Sequence, residues 1–291
     1  MAIKVCGIVG VGLMGGSLGL ALRARGVSVA AVDESSAALN LAMKRGAADT
    51  VSADPSILAG AELVVVCTPP RAIVAAAASA LPHLKQGCLV CDFASIKAPI
   101  VQAIEPMLTS AVRYLGLHPM CGTAGQGIEA AREDLFAGAV LIATPTARTE
   151  SSALAQVDEF ARLLGMRLVC LSPEVHDRQI AAVSHVPYLV SVALTRLAPG
   201  VQCAGPAFRD ATRVATSPPV LWEQILSMNR SHLLAAVEQL CEEIKRLGNL
   251  QGEALESALD KARELRLSWE RILPPASSAE AAADAKEKDQ T

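Results

Sequence analysis

The sequence predicts an α/β fold, a doubly wound and mostly parallel sheet over residues 1–172, followed by an all-α domain over residues 173–273. Three observations predict it. Short β-rich apolar runs alternate with helical stretches throughout the first part. A glycine-rich turn joins the first of these runs to the first helix. Beyond Pro173 the strand signals stop, and apolar residues recur every three or four positions.

The first strand is expected over residues 3–9, where β-branched and apolar residues end at the turn, and the following helix includes residues 18–25. Further strands are expected over 27–32, 63–67, 88–91, 112–117, 140–143 and 167–171. Cys88 and Cys91 lie three apart in GCLVCDF, so on a strand they point to opposite faces and cannot clamp one metal. They read as buried structural cysteines, and no metal site is expected. Helical periodicity covers 179–197, 221–247 and 253–273. Residues 274–291 turn to Ser, Ala, Glu, Asp and Lys without bulky apolar side chains and are expected to be a disordered tail.

Gly10, Gly12 and Gly15 follow the first strand and open the first helix, the context in which GxGxxG marks a Rossmann dinucleotide site. Gly10 permits the tight turn, Gly12 lets the backbone approach a pyrophosphate, and Gly15 lets helix and strand pack closely. The amides at the helix start, at Leu13 and Met14, then face the pyrophosphate. Asp33 ends the second strand 21 positions after Gly12, where a carboxylate accepts hydrogen bonds from ribose hydroxyls. It would repel a 2′-phosphate, and Glu34, Ser35 and Ser36 bring no arginine to offset this, so NAD is expected, with NADP as the alternative. Thr68 and Pro69 end a later strand at the edge where such cofactors lie.

Composition narrows the partners. With 26 basic and 29 acidic residues the net charge is −3, which argues against nucleic acid. Hydrophobic residues make up 52%, yet no uninterrupted apolar run reaches the roughly 18 residues of a membrane span. No export signal is read at the N-terminus, so a cytoplasmic protein with reduced cysteines and a small-molecule substrate is expected. A helical domain with this much apolar surface predicts a homodimer formed through it.

Of five histidines, His118 and His185 sit in segments that a plain core would not explain. Together with VGVGLMGGSLGLAL, DFASIK and FRDATRVATSPPVLW, the segments LGLHPMCGTAGQGIEAAREDLF and AAVSHVPYLVSVAL resemble the prephenate and arogenate dehydrogenases of tyrosine biosynthesis, in order from about residue 3 to residue 245. The resemblance implies oxidative decarboxylation of a cyclohexadienyl substrate, arogenate to tyrosine or prephenate to 4-hydroxyphenylpyruvate. It implies His118 as the base, a role suited to a neutral imidazole, and Ser95 as the group that orients the reacting hydroxyl. Arg213 matches the arginine that pairs with the ring carboxylate, a task for a planar fork of donors, with Asp210 orienting it. His185 and Trp222 match residues at the substrate's side-chain end.

Two positions depart from the prephenate-type pattern: Ala124 stands where an acid is common, and Tyr188 where a second histidine is common. These segments are more similar to arogenate-type enzymes of cyanobacteria, which generally lack an acid at the position of Asp33. The sequence therefore leans to arogenate. A 3-hydroxyacid dehydrogenase or imine reductase shares the glycine turn and a helical second domain but would not explain His118 and Arg213 in their motifs. A non-catalytic NAD-binding sensor would have no use for them.

Overall fold

The computed structural model describes residues 3–123 and 125–269. Eight strands form one sheet: β1 (Val5–Val9), β2 (Ser28–Val32), β3 (Thr50–Ser52), β4 (Leu63–Val66), β5 (Leu89–Asp92), β6 (Arg113–Pro119), β7 (Val140–Thr144) and β8 (Arg167–Cys170). Their order is β3-β2-β1-β4-β5-β6-β7-β8, with β1 and β4 side by side where the winding reverses. Each predicted strand is present. The sequence reading missed β3, whose three edge residues are too few to show alternation.

Neighbouring strands are parallel except β6 and β7, which run antiparallel with His118 opposite Ile142. Among the described residues, the connection between those two strands carries the short 3₁₀ turn Ile128–Ala130 and no crossover helix, which is what antiparallel pairing permits. All four residues of β4 are buried, as in a sheet covered on both faces. Cys88 packs in the core on one face and Cys91 in the core on the other, both without solvent exposure. No cysteine among the described residues is in a disulfide.

Helices α1 (Leu13–Arg23), α2 (Ser36–Lys44), α3 (Ile73–Ala80), α4 (Ala98–Ile104) and α5 (Ser151–Leu163) cover the sheet. After β8 come α6 (Pro173–Ile180), α7 (Val186–Leu197), α8 (Pro206–Thr212), α9 (Pro219–Met228), α10 (Arg230–Gly248) and α11 (Gly252–Trp269). The Ser172 hydroxyl caps α6, so the helix begins six residues before the predicted start. A π-helical turn, Ala181–His185, carries α6 into α7 without a break.

The resulting 25-residue helix, Pro173–Leu197, is apolar and long enough by composition to cross a membrane. Here it packs against α4 and α10 and holds His176, Asp177 and His185 in the interior. The stretch predicted as one helix over 221–247 is two, because Asn229 leaves helical geometry (φ −110°, ψ 26°) between α9 and α10. The expected tail and the departure at Ala124 lie outside the described residues.

Candidate active site

The carboxyl ends of β1, β4, β5 and β6 deliver Gly10, Cys67, Phe93 and His118 to one edge of the sheet, the position at which open α/β sheets bind ligands. At this edge Gly10 takes φ +92°, and a methyl there would strike Thr68 Cγ2 at 2.9 Å. Gly15 has no room for a side chain: a Cβ would stand 1.9 Å from the Gly10 carbonyl oxygen. Gly12 differs from both. Nothing lies within 4 Å of its missing Cβ, so the turn leaves open space ahead of the α1 N-terminus.

Asp33 accepts the Val11 amide on Oδ2 and the Ser35 amide on Oδ1, each at 2.8 Å, which fixes its carboxylate above the turn. The Thr68 hydroxyl is buried with no partner. Open space at Gly12, free amides at Leu13 and Met14, the held carboxylate and the orphaned hydroxyl together fit a dinucleotide.

Beside this edge a cavity of about 180 Å³ is lined by Ser95, His118, Met120, Cys121, Ser184, His185 and Trp222, among others. Ser95 comes from the loop after β5 and His118 from β6, whereas His185 and Trp222 come from the helical domain. The site therefore forms where the two parts meet. Trp222 stacks flat on Tyr188, with ring centroids 3.8 Å apart, and meets the His185 ring edge-on at 6.2 Å. Burial pushes the Cys121 thiol up to about 12, so it stays protonated and is no nucleophile.

Beneath the cavity runs a polar network that the sequence reading did not find. His118 Nδ1 lies 2.9 Å from His176 Nε2, and His176 Nδ1 lies 2.7 Å from Asp177 Oδ1. Asp177 also accepts the Lys97 and Ala98 amides at 2.8 Å, capping α4. The Lys97 ammonium, wholly buried, is paired with Asp92 and donates to the Leu117 carbonyl at 2.7 Å; the Tyr114 hydroxyl donates to Asp92 at 2.6 Å. This cluster ties the Ser95 loop to β6.

Burial lowers the pKa of His118 well below the ordinary value, with His176, Lys97 and His185 adding to the effect. Burial likewise lowers His176, and it brings His185 to about 4, so all three rings are neutral near pH 7. Asn229 Nδ2 donates to the Asp177 carbonyl at 2.8 Å and approaches His185 Nδ1 at 3.3 Å. An amide N–H can only donate, so His185 Nδ1 accepts and its Nε2 carries the proton. That Nε2 is buried without a partner in the wall of the cavity.

The remaining expected residues are not brought to the cavity. Arg213 begins a short turn packed on α7, and Asp210 ends near it on α8; both are exposed, outside the lining residues. No hydrogen bond or ion pair links Asp210 with Arg213, so the expected orienting contact is absent from the single chain.

The comparisons with known proteins agree along the chain. Residues 18–170 match the family described as prephenate dehydrogenase, nucleotide-binding domain, and residues 172–260 the family described as prephenate dehydrogenase, dimerization domain. A cyclohexadienyl dehydrogenase of Zymomonas mobilis is 31% identical over 84% of this chain and 87% of its own. The solved arogenate dehydrogenase of Synechocystis is similar with a TM-score of 0.81 and 30% identity, over 91% of this chain and 99% of that one. A prephenate dehydrogenase from A. aeolicus, solved with hydroxyphenyl propionate and NAD+, is similar with a TM-score of 0.85 and 28% identity, over 92% and 99%.

Proposed function

The chain belongs to the prephenate dehydrogenase family, and from that premise we propose that it carries out NAD-dependent oxidative decarboxylation of a cyclohexadienyl acid, arogenate or prephenate, in tyrosine biosynthesis. The observation that carries this reading is the meeting of Ser95, His118 and His185 around one cavity at the sheet edge that also carries the glycine turn. A hydroxyacid dehydrogenase or imine reductase gives way to the family assignment. A sensor would have no need of a base held neutral at the cavity wall.

Bound NAD supplies the acceptor for the hydride that leaves the ring carbon bearing the hydroxyl. The Gly10–Gly15 turn, with the Leu13 and Met14 amides, would hold the pyrophosphate, while Asp33 would take the ribose hydroxyls and Thr68 and Pro69 would border them. Ser95 orients the reacting hydroxyl by hydrogen bonding. His118 accepts the hydroxyl proton, and aromatisation of the ring drives loss of the carboxylate as CO₂. Arg213 clamps that carboxylate, with Asp210 beside it. Since both are exposed in the single chain, the clamp requires either local closure of the turn at Arg213 or completion by a second copy through the helical domain. Exposed apolar side chains on that domain, including Leu197, Val220, Leu234 and Ile244, support the homodimer.

Two readings of the substrate have separate support. The segment patterns and the likeness to the Synechocystis enzyme favour arogenate. Against them, the Nε2–H of His185 can donate to the keto oxygen of prephenate but not to the ammonium of arogenate, and among the described residues lining the cavity none is acidic. That pairing supports prephenate as the second reading. The test is a four-way assay of purified protein, prephenate or arogenate against NAD or NADP, following reduced cofactor. Activity with prephenate and NAD highest supports the geometric reading, and activity with neither acid overturns the proposal.

A further inference from the structure

We propose that His176 and Asp177 are positioning residues that set the tautomer of His118 and hold the charge it acquires, an inference that rests on His118 being the base. Both Asp177 oxygens already act as acceptors, from the Lys97 and Ala98 amides at the start of α4. His176 Nδ1, 2.7 Å from Oδ1, must then carry its proton and donate. Its Nε2 therefore presents a lone pair to His118 Nδ1 at 2.9 Å, so His118 donates from Nδ1. The ring nitrogen left for the cavity, Nε2, is a bare acceptor.

The opposite arrangement is disfavoured at each link. With His118 protonated on Nε2, two lone pairs would face each other at 2.9 Å unless His176 also changed tautomer. Changing His176 would set its Nδ1 lone pair against a carboxylate at 2.7 Å. The backbone holds the arrangement as well, since Asn229 Nδ2 donates to the Asp177 carbonyl and α4 begins on the Asp177 side chain.

In turnover the hydroxyl proton moves to His118 Nε2, the hydroxyl electron pair closes the carbonyl as hydride departs, and His118 Nδ1–H stays bonded to His176. The new imidazolium is buried and faces Lys97, His176 and His185, none of which is an anion. Asp92 is occupied by the Lys97 ammonium. Asp177, one imidazole away, is the negative group aligned with the new charge, as the carboxylate is in a catalytic triad. It does not take the proton.

The test reads the tautomer directly and the rate separately. Nitrogen-15 NMR of histidine-labelled full-length protein, assigned with His118→Asn, is expected to show His118 protonated on Nδ1 and bare on Nε2 in the wild type. A wild-type His118 protonated on Nε2 overturns the inference. His176→Gln can still accept from His118 Nδ1 through its amide oxygen but breaks the link to Asp177; His176→Phe removes both functions. The expected order of kcat is wild type, then Gln, then Phe, with about a 10²-fold loss in the last and little change in KM or in NAD affinity. If both variants keep wild-type kcat, or if KM rises and NAD affinity falls in step with the loss of kcat, His176 is only structural. Absence of turnover in the wild type would overturn the proposed function, and the tautomer would still stand or fall by the spectrum.

Discussion

At the scale of single residues, the proposed chemistry rests on a few side chains whose removal has distinct expected signatures. Asp33 is held by two amides above the glycine turn, so a 2′-phosphate would meet a fixed negative charge. NAD should give the higher kcat/KM, and Asp33→Ser should narrow the preference; a wild-type preference for NADP would contradict this. His118→Asn should bind NAD normally and lose about 10² to 10⁴ in kcat. Arg213→Ala should weaken substrate binding by about 2 to 5 kcal/mol if the guanidinium meets the ring carboxylate in a partly desolvated site, read as a steep rise in KM at unchanged NAD affinity. That Ser95, His118 and His185 belong together was legible from their motifs, and the fold brings all three to one cavity. His176, Asp177 and Lys97 were not legible. In VHDRQI the histidine and aspartate look like a polar helix face, and only the fold shows them buried against His118.

At the scale of elements, the glycine turn separates two roles that one motif combines. Gly15→Ala would drive its methyl into the Gly10 carbonyl, costing about 3 kcal/mol or more of stability in a urea titration. Gly12→Ala meets nothing, so stability should change by less than about 0.5 kcal/mol while NAD affinity falls, because the methyl fills the space for the pyrophosphate. The π-helical turn ending at His185 gives a second test. Its imidazole has a pKa of about 4 when folded, against about 6.5 when unfolded. As pH falls below 6.5 the unfolded chain binds a proton that the folded site refuses, so stability is lost down to about pH 4 and then levels off. His185→Gln should flatten that decline by an amount on the order of 3 kcal/mol, measured as urea midpoints across pH. Periodicity read this helix but not its first turns, since α6 has too few apolar residues to signal itself. It also ran α9 and α10 together, because Asn229 breaks the helix through a tertiary contact with Asp177 that no local pattern shows.

At the scale of the whole molecule, the doubly wound, mostly parallel sheet and the helical domain followed from alternation and periodicity, whereas the order of its strands is seen only in the fold. The antiparallel β6–β7 pairing was not legible, because it depends on where a long loop returns. The exposed apolar side chains of the helical domain predict a dimer at micromolar concentration in sedimentation equilibrium, with a monomer as the contrary result. The proposed function requires that hydride loss and decarboxylation be coupled at one site between the sheet edge and the helices. It is tested most directly by measuring CO₂ released and NADH formed in the same reaction, with prephenate or arogenate as substrate. One CO₂ is expected for each NADH, together with an aromatic product, and NADH formed without CO₂ would overturn the coupling.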